Sequence, residues 1–188
     1  MGMGLLREGI NEIIATTKGN AAPIGIIMRN GKPGMVLFRG SHTAEKIESG
    51  GWVVANFIFD PVLYVTTAFD DLPPGSFVEE KAGVFNVERL VSCEAWAAFS
   101  VTIEKKTRDT LVAGLTLQKE AEAGVMLHPV NRGFNSVIEA TIHGTRYKIS
   151  RNPELRSLIG HHAGIIRKCG GPKEQEALEL LFDYIGYP

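Results

Sequence analysis

From Ile10 to about residue 126 the chain runs in short apolar or alternating stretches separated by turn residues. Ile10 to Thr17, Ala22 to Met28 and Met35 to Arg39 are broken by Lys18-Gly19, Asn30-Gly31 and Gly40, the pattern of strands joined by tight turns. Asn30-Gly31 is the strongest hairpin signal, because a type I′ turn needs positive φ at both central positions. Ser41 to Ser49 interrupts with Ala44, Glu45, Lys46 and Ile47, which predicts a two-turn helix capped by Ser41 or Thr43. Trp52 to Phe59 reads as a buried strand. In Val62 to Phe69 the β-branched residues favour strand, whereas Asp60 as cap and Pro61 as first helical residue favour helix, and helix is the reading adopted. Asp70 to Glu80 reads as a loop, and Val87 to Cys93, Ala95 to Glu104 and Thr110 to Lys119 as a meander that turns at Lys105 to Asp109.

Beyond residue 127 the period changes. Phe134, Val137, Ile138, Thr141, Ile142 and Thr145 fall at helical spacing, with Ser136 and Glu139 fitting a capping box. Asn152-Pro153 opens a second stripe of Leu155, Leu158, Ile159, His162 and Ile166, Gly170-Gly171 closes it, and Pro172 opens a third carrying Ala177, Leu178, Leu181, Tyr184 and Ile185. The fold expected is mainly β within an α+β class. Residues 1–126 form a closed or half-closed barrel, since the connections are too short for βαβ crossovers, and 127–188 form a three-helix subdomain packed on it.

Composition narrows the function classes. With 44% hydrophobic and 22% charged residues, 188 residues suffice for a real core. The 20 Lys+Arg against 21 Asp+Glu leave no sequence-wide positive field for nucleic acid or an anionic membrane, so any anion must be held locally. No apolar run reaches the roughly 20 residues of a membrane helix. Cys93 and Cys169 show no metal-type pairing and fit a reducing, cytoplasmic setting.

Several chemistries fall away on spacing. Gly25 to Lys32 is no P-loop, because Pro33 stands where Ser or Thr is needed and the glycine serves a hairpin. His161-His162 and Cys169 lack a local third ligand, so no metal is expected. One histidine is expected half-buried at the helical seam and the other solvated. No Ser-His-Asp or Cys-His spacing signals a nucleophile, and Cys93 reads as a small core residue. What remains is a set of small and hydroxyl-bearing residues at strand ends. Thr16, Thr17, Asn20, Ala21 and Ala22 offer edge donors and an uncluttered backbone. Arg39, Ser41 and Thr43, with the amides opening the short helix, offer a phosphate cradle. Together they suit flavin mononucleotide, FMN, which needs a flat bed, donors at the pyrimidine edge and a dianion site. Each part also has a plain reading, as strand ends, turn residue or helix cap.

The running order Thr16-Thr17, Asn20-Ala21-Ala22-Pro23, His42-Thr43 to Ile47 and Gly51-Trp52-Val53-Val54-Ala55-Asn56 resembles the FMN-binding split-barrel flavoproteins, the flavin-reductase-like group. The chain is more closely similar to an archaeal branch described mainly as a domain of unknown function. There Arg39-Gly40-Ser41-His42-Thr43, Asn56 followed by Asp60-Pro61, and Asn131-Arg132-Gly133 to Glu139-Ala140 and Thr145-Arg146 recur. The resemblance spans nearly the whole chain. It implies a six-stranded FMN-binding split β-barrel, FMN at or near a homodimer interface, and no settled substrate, and it adds Gly40 and Asn56 to the cofactor-binding candidates. Ala55 to Phe59 is more apolar than the usual form of that strand, and His42 stands where a basic residue is the norm. Arg132 reads equally as a residue at the phosphate or substrate mouth and as a partner for Glu139. The function expected is an FMN-dependent oxidoreductase of unknown substrate, with NAD(P)H or another electron donor as partner and no evident side-chain acid or base. The alternatives are a non-catalytic flavin carrier or sensor, and a structural dimer with an empty groove.

Overall fold

The computed structural model describes residues 3–187. The chain divides into two compact units: the described residues up to Ile58 with Leu72–Met126, and Phe59–Asp71 with the residues from Leu127 on.

The first unit is a closed six-stranded antiparallel barrel with a separate hairpin. Its strands are β1 (Gly9–Thr17), β2 (Asn20–Arg29), β3 (Lys32–Phe38), β4 (Trp52–Phe57), β7 (Ala95–Lys106) and β8 (Thr110–Glu122), ordered β1-β2-β3-β8-β7-β4. Both early hairpins turn through left-handed residues, Lys18 and Gly19 at φ 46° and 71° and Asn30 and Gly31 at 52° and 72°, which sets the right-handed strand twist. Inside lie Ile13, Ala15, Ile26, Met35, Leu37, Val53, Ala55, Ala97, Phe99, Leu111, Ala113 and Leu115. The helix α1 (His42–Gly50) adds Ala44 and Ile47 to this core.

The hairpin of β5 (Phe77–Ala82) and β6 (Phe85–Leu90) corrects two expectations. Phe77 to Glu80, read as loop, is strand, and the segment from Val87 joins β5 rather than a meander with β7. Ala82, Val87 and Cys93 pack with Trp52, Val54, Trp96 and Ala98 in a second core. This is why Trp52 to Ala55 reads as a continuous apolar run: β4 is covered on both faces, Val53 and Ala55 inside the barrel and Trp52 and Val54 under the hairpin. Glu80 binds Arg89 and Lys119 at 3.2 and 3.1 Å. Burial raises its pKa, and the bonds from Lys119 and Arg89 outweigh that and bring it below the usual carboxylate value.

The second unit contains α2 (Pro61–Phe69), α3 (Arg132–Ser150), α4 (Pro153–Cys169) and α5 (Pro172–Ile185). Helix α2 forms as Asp60 and Pro61 predict, with the Asp60 carboxylate accepting from the Val62 and Leu63 amides. The expected capping box at Ser136 is absent, since Ser136 is buried within α3 and Asn131 is the cap. Asn131 Oδ1 accepts from the Gly133 amide at 2.8 Å, and its Nδ2 donates to buried Glu174 at 3.2 Å. Glu174 in turn accepts from the Gly171 amide, so one carboxylate ties the starts of α3 and α5. Val65, Val137, Ala140, Tyr147, Ile159, Ala163, Ile166, Ala177, Leu178, Leu181 and Ile185 form the core, so the stripes meet one another and α2. Leu158, placed in a stripe by spacing, is 42% exposed.

Close helix approach at Gly133 yields a sharp expectation. A Cβ there would sit 2.5 Å from Gly170 Cα and 2.7 Å from its nitrogen, backbone atoms that cannot swing aside. Gly133→Ala should cost about 1–3 kcal/mol of unfolding free energy by urea titration. Gly164→Ala, at an exposed α4 position with nothing within 4 Å of the new methyl, should instead stabilise by roughly 0.5–1 kcal/mol. Equal effects at both positions would contradict this packing.

Candidate functional site

The barrel brings together two of the segments that the sequence singles out. Asn20 opens β2, Thr43 lies in the first turn of α1, both are buried, and Asn20 Nδ2 donates to Thr43 Oγ1 at 3.0 Å. The start of α1 is fixed by Ser41, whose Oγ accepts from the Ala44 amide at 3.3 Å and donates to the Phe38 carbonyl at 2.8 Å. A helix N-terminus with its first-turn amides thus stands beside the Asn20-Ala21-Ala22 corner, where Ala21 is buried and Ala22 partly open. Thr43 Oγ1, accepting from Asn20, still has its own proton to donate.

Arg39 and Gly40 are exposed just before that helix. The Arg39 backbone amide donates to Asp109 and its guanidinium to the Thr107 carbonyl at 3.1 Å, which anchors the arginine to the β7–β8 turn. Further guanidinium donors remain for an anion.

Thr16, Thr17 and Asn56 have a different place. All three are 0% exposed and use their polar atoms internally. Thr17 Oγ1 donates to the Trp52 carbonyl at 3.0 Å, and Thr16 Oγ1 donates to the Glu88 carbonyl. Asn56 Nδ2 donates to Thr16 Oγ1 at 3.0 Å and to the Ile14 carbonyl at 2.9 Å, while its Oδ1 accepts from the Leu90 amide at 2.7 Å. These side chains staple β1, β4 and the β5–β6 hairpin, and their polar atoms are engaged within the barrel unit. Arg132 is exposed in the first turn of α3, in the helical unit.

Two concavities of the barrel unit lie away from these residues. One of about 450 Å³ runs over the outer faces of β2, β3 and β8 between Ile27, Gly34, Val36 and Val112. The other, about 220 Å³, is bordered by Leu6, Met28, Pro33, Phe99 and Leu117. None of the sequence-selected residues lines either. Burial pushes the Cys93 thiol above its usual pKa, which suits a packing residue.

In the helical unit the structure assembles a cluster that spacing around Cys169 does not suggest. Glu139 and His143 of α3 meet His162 of α4. The available signal was the Glu139-to-His143 step of one helical turn, and the partner helix could not be read from sequence. His162 is half-buried and His161 exposed, as expected. Burial, then the neighbouring His143, lowers the His162 pKa below the ordinary imidazole value, against the opposing pull of Glu139. Among the described residues, no helix is long and apolar enough to cross a membrane.

Comparison with known proteins places the chain. It is similar over 95% of its length and 96% of the other chain to the FMN-bound protein MM1853 of Methanosarcina mazei, with 38% identity and a TM-score of 0.89. It is 24% identical over 192 residues to the uncharacterized protein MJ1453 of Methanocaldococcus jannaschii, covering 92% of this chain and 96% of that one. Residues 11–123 match the N-terminal domain model, and 131–183 the second model, of the protein of unknown function DUF447. The chain therefore belongs to the DUF447 family.

Proposed function

We propose that this protein binds FMN on its barrel unit, with the phosphate at the Arg39-to-Thr43 start of α1 and the ring system toward Asn20, Ala21 and Ala22. The observation that carries this reading is the 3.0 Å contact of Asn20 with Thr43, which joins a small-residue corner to a helix N-terminus. The likeness to the FMN-bound protein of Methanosarcina mazei supports it. The donor set fits: first-turn amides and an exposed guanidinium suit a terminal phosphate, and alanines let a flat ring approach the backbone. When bound, FMN supplies electron-transfer chemistry at the N5 face of its ring. The chain's part is to orient it and to leave that face accessible. Thr16, Thr17 and Asn56 act one layer back, holding β1 and β4 in place.

The protein assembles as a homodimer in this reading. Val36 and Phe38 on β3 are 50% and 68% exposed beside the groove over β2, β3 and β8, and a second copy is the occupant that covers them. Light scattering at micromolar concentration should give a dimer that Phe38→Glu shifts toward monomer. A wild-type monomer that still holds flavin would overturn this.

Acid release from protein purified without added flavin should give FMN as the main species by chromatography, and FAD or riboflavin in its place would refute the phosphate cradle. Arg39→Ala should weaken FMN by about 10- to 100-fold in fluorescence titration, near 1.4–2.7 kcal/mol. Its fold should be retained, because the side chain is exposed. Unchanged affinity would take Arg39 out of the cradle. Anaerobic reduction of the bound flavin by NADH or NADPH, with reoxidation by an acceptor, supports an oxidoreductase. A flavin that neither nucleotide reduces favours a carrier or sensor.

A further inference from the structure

We propose that Glu139, His143 and His162 form a binding site for a divalent first-row transition ion, zinc foremost, which clasps α3 to α4. One carboxylate oxygen of Glu139 and one ring nitrogen of each histidine all lie within 4.8 Å of one another. The geometry follows from the helices. Glu139 and His143 are one turn apart on α3 and share a face, and His162 comes from the middle of α4. The two imidazoles stack with centroids 5.6 Å apart.

An independent observation points to a ligand. The Nδ1 atoms of both His143 and His162 are shut off from solvent and have no hydrogen-bond partner. Buried ring nitrogens are ordinarily satisfied, because each lost bond leaves a desolvation cost uncompensated. Two such orphans on stacked rings belong to the same histidines whose ring nitrogens lie within 4.8 Å of a Glu139 carboxylate oxygen. A proton could bond only one pair of these atoms, whereas a cation engages all three groups.

The donor set selects the ion. Two imidazoles and a carboxylate suit zinc and its neighbours and are poor for calcium or magnesium, which take oxygen ligands. Metal–ligand bonds of about 2.1 Å in a tetrahedron require ligand atoms about 3.4 Å apart. The starting separations are at most 4.8 Å, and Glu139, whose side chain is exposed, can swing to close its share. Three protein ligands leave a fourth position for water or a small anion. Closing this clasp joins the middle of α3 to the middle of α4 across the core seam lined by Ala140, Ile159 and Ala163.

The test uses the full-length protein, treated with chelator and dialysed, titrated with zinc chloride by calorimetry. One equivalent should bind with a dissociation constant at or below about 10 μM. Glu139→Gln and His143→Ala should each weaken binding at least about tenfold, while His161→Ala, at the exposed neighbour, leaves it unchanged. Glu139→Gln preserves size at an exposed position and keeps the test open should a histidine variant fail to fold. X-ray absorption of the zinc-loaded protein should show nitrogen and oxygen ligands with no sulfur. No saturable uptake of one equivalent, uptake equal in wild type and Glu139→Gln, or a sulfur shell would each overturn the site. Flavin content should be unaffected by zinc removal, so the result is independent of the FMN reading.

Discussion

Asn56→Leu is expected to lower the unfolding free energy by about 3 kcal/mol, read as a shift in urea midpoint with little change in slope. The side chain is fully buried and donates to Thr16 and the Ile14 carbonyl while accepting from the Leu90 amide. Leucine keeps the branched shape with bulkier methyl groups but leaves the Leu90 amide and one bond of Thr16 unanswered in a dry layer, where each orphaned group costs about 1–3 kcal/mol. The damage should be local first. Leu90 and the rest of β6 attach to the barrel through these bonds and through Ala82 and Val87 in the core beneath, so amide exchange in β5 and β6 should accelerate before that of β1 and β2. The same variant separates framing from contact. If Asn56 touched FMN directly, flavin affinity would fall while the flavin-free protein kept its midpoint. A loss of less than about 1 kcal/mol would show that Asn56 is not the staple.

The hairpins at Lys18-Gly19 and Asn30-Gly31, the helix behind Asp60-Pro61 and the cap at Ser41 were all legible, because each depends on residues adjacent in sequence. The barrel interior was legible for the same reason: its strands alternate or run apolar within five to ten residues. What escaped were relations set by tertiary partners. Phe77 to Glu80 has weak strand character alone and becomes a strand because β6 pairs with it, and Glu80 is held there by Arg89 and Lys119. Thr16, Thr17 and Asn56 carry the composition of a ligand site, yet whether a hydroxyl faces a groove or the underside of a hairpin depends on where Glu88 and Leu90 lie. Asn20 and Thr43 lie 23 residues apart in sequence, and only the barrel's closure puts them 3.0 Å apart. Ser136 shows the opposite failure, a local capping pattern overruled because Asn131 starts the helix five residues earlier.

A chain ending at Gly124 is expected to aggregate or to lose the helix α2, and the reason differs from the one the stripes alone suggest. Three helices of this length have too small a core to stand alone, which at first points to the barrel as their cover. The structure supplies a cover within the helical unit. Helix α2 packs against α3 and α5, with Val65 fully buried among Val137, Leu178 and Leu181 and with Val62 and Phe69 beside it. Removing residues 125–188 therefore strips the partners from a helix whose sequence, Pro61–Phe69, carries no charged side chain. Each exposed Val, Leu or Phe forfeits about 1.5–3 kcal/mol of burial, more than a nine-residue helix recovers from its own hydrogen bonds. The reciprocal fragment, from Asn131 on, lacks α2 and should show weak helicity with a broad, non-cooperative melt by circular dichroism, in contrast to the sharp transition of the full chain. A truncated protein that remains soluble, with α2 protected from amide exchange, would mean that α2 does not depend on α3 and α5. The two-unit division would then fall between residues 126 and 127, as the change of sequence period suggests, and not around α2.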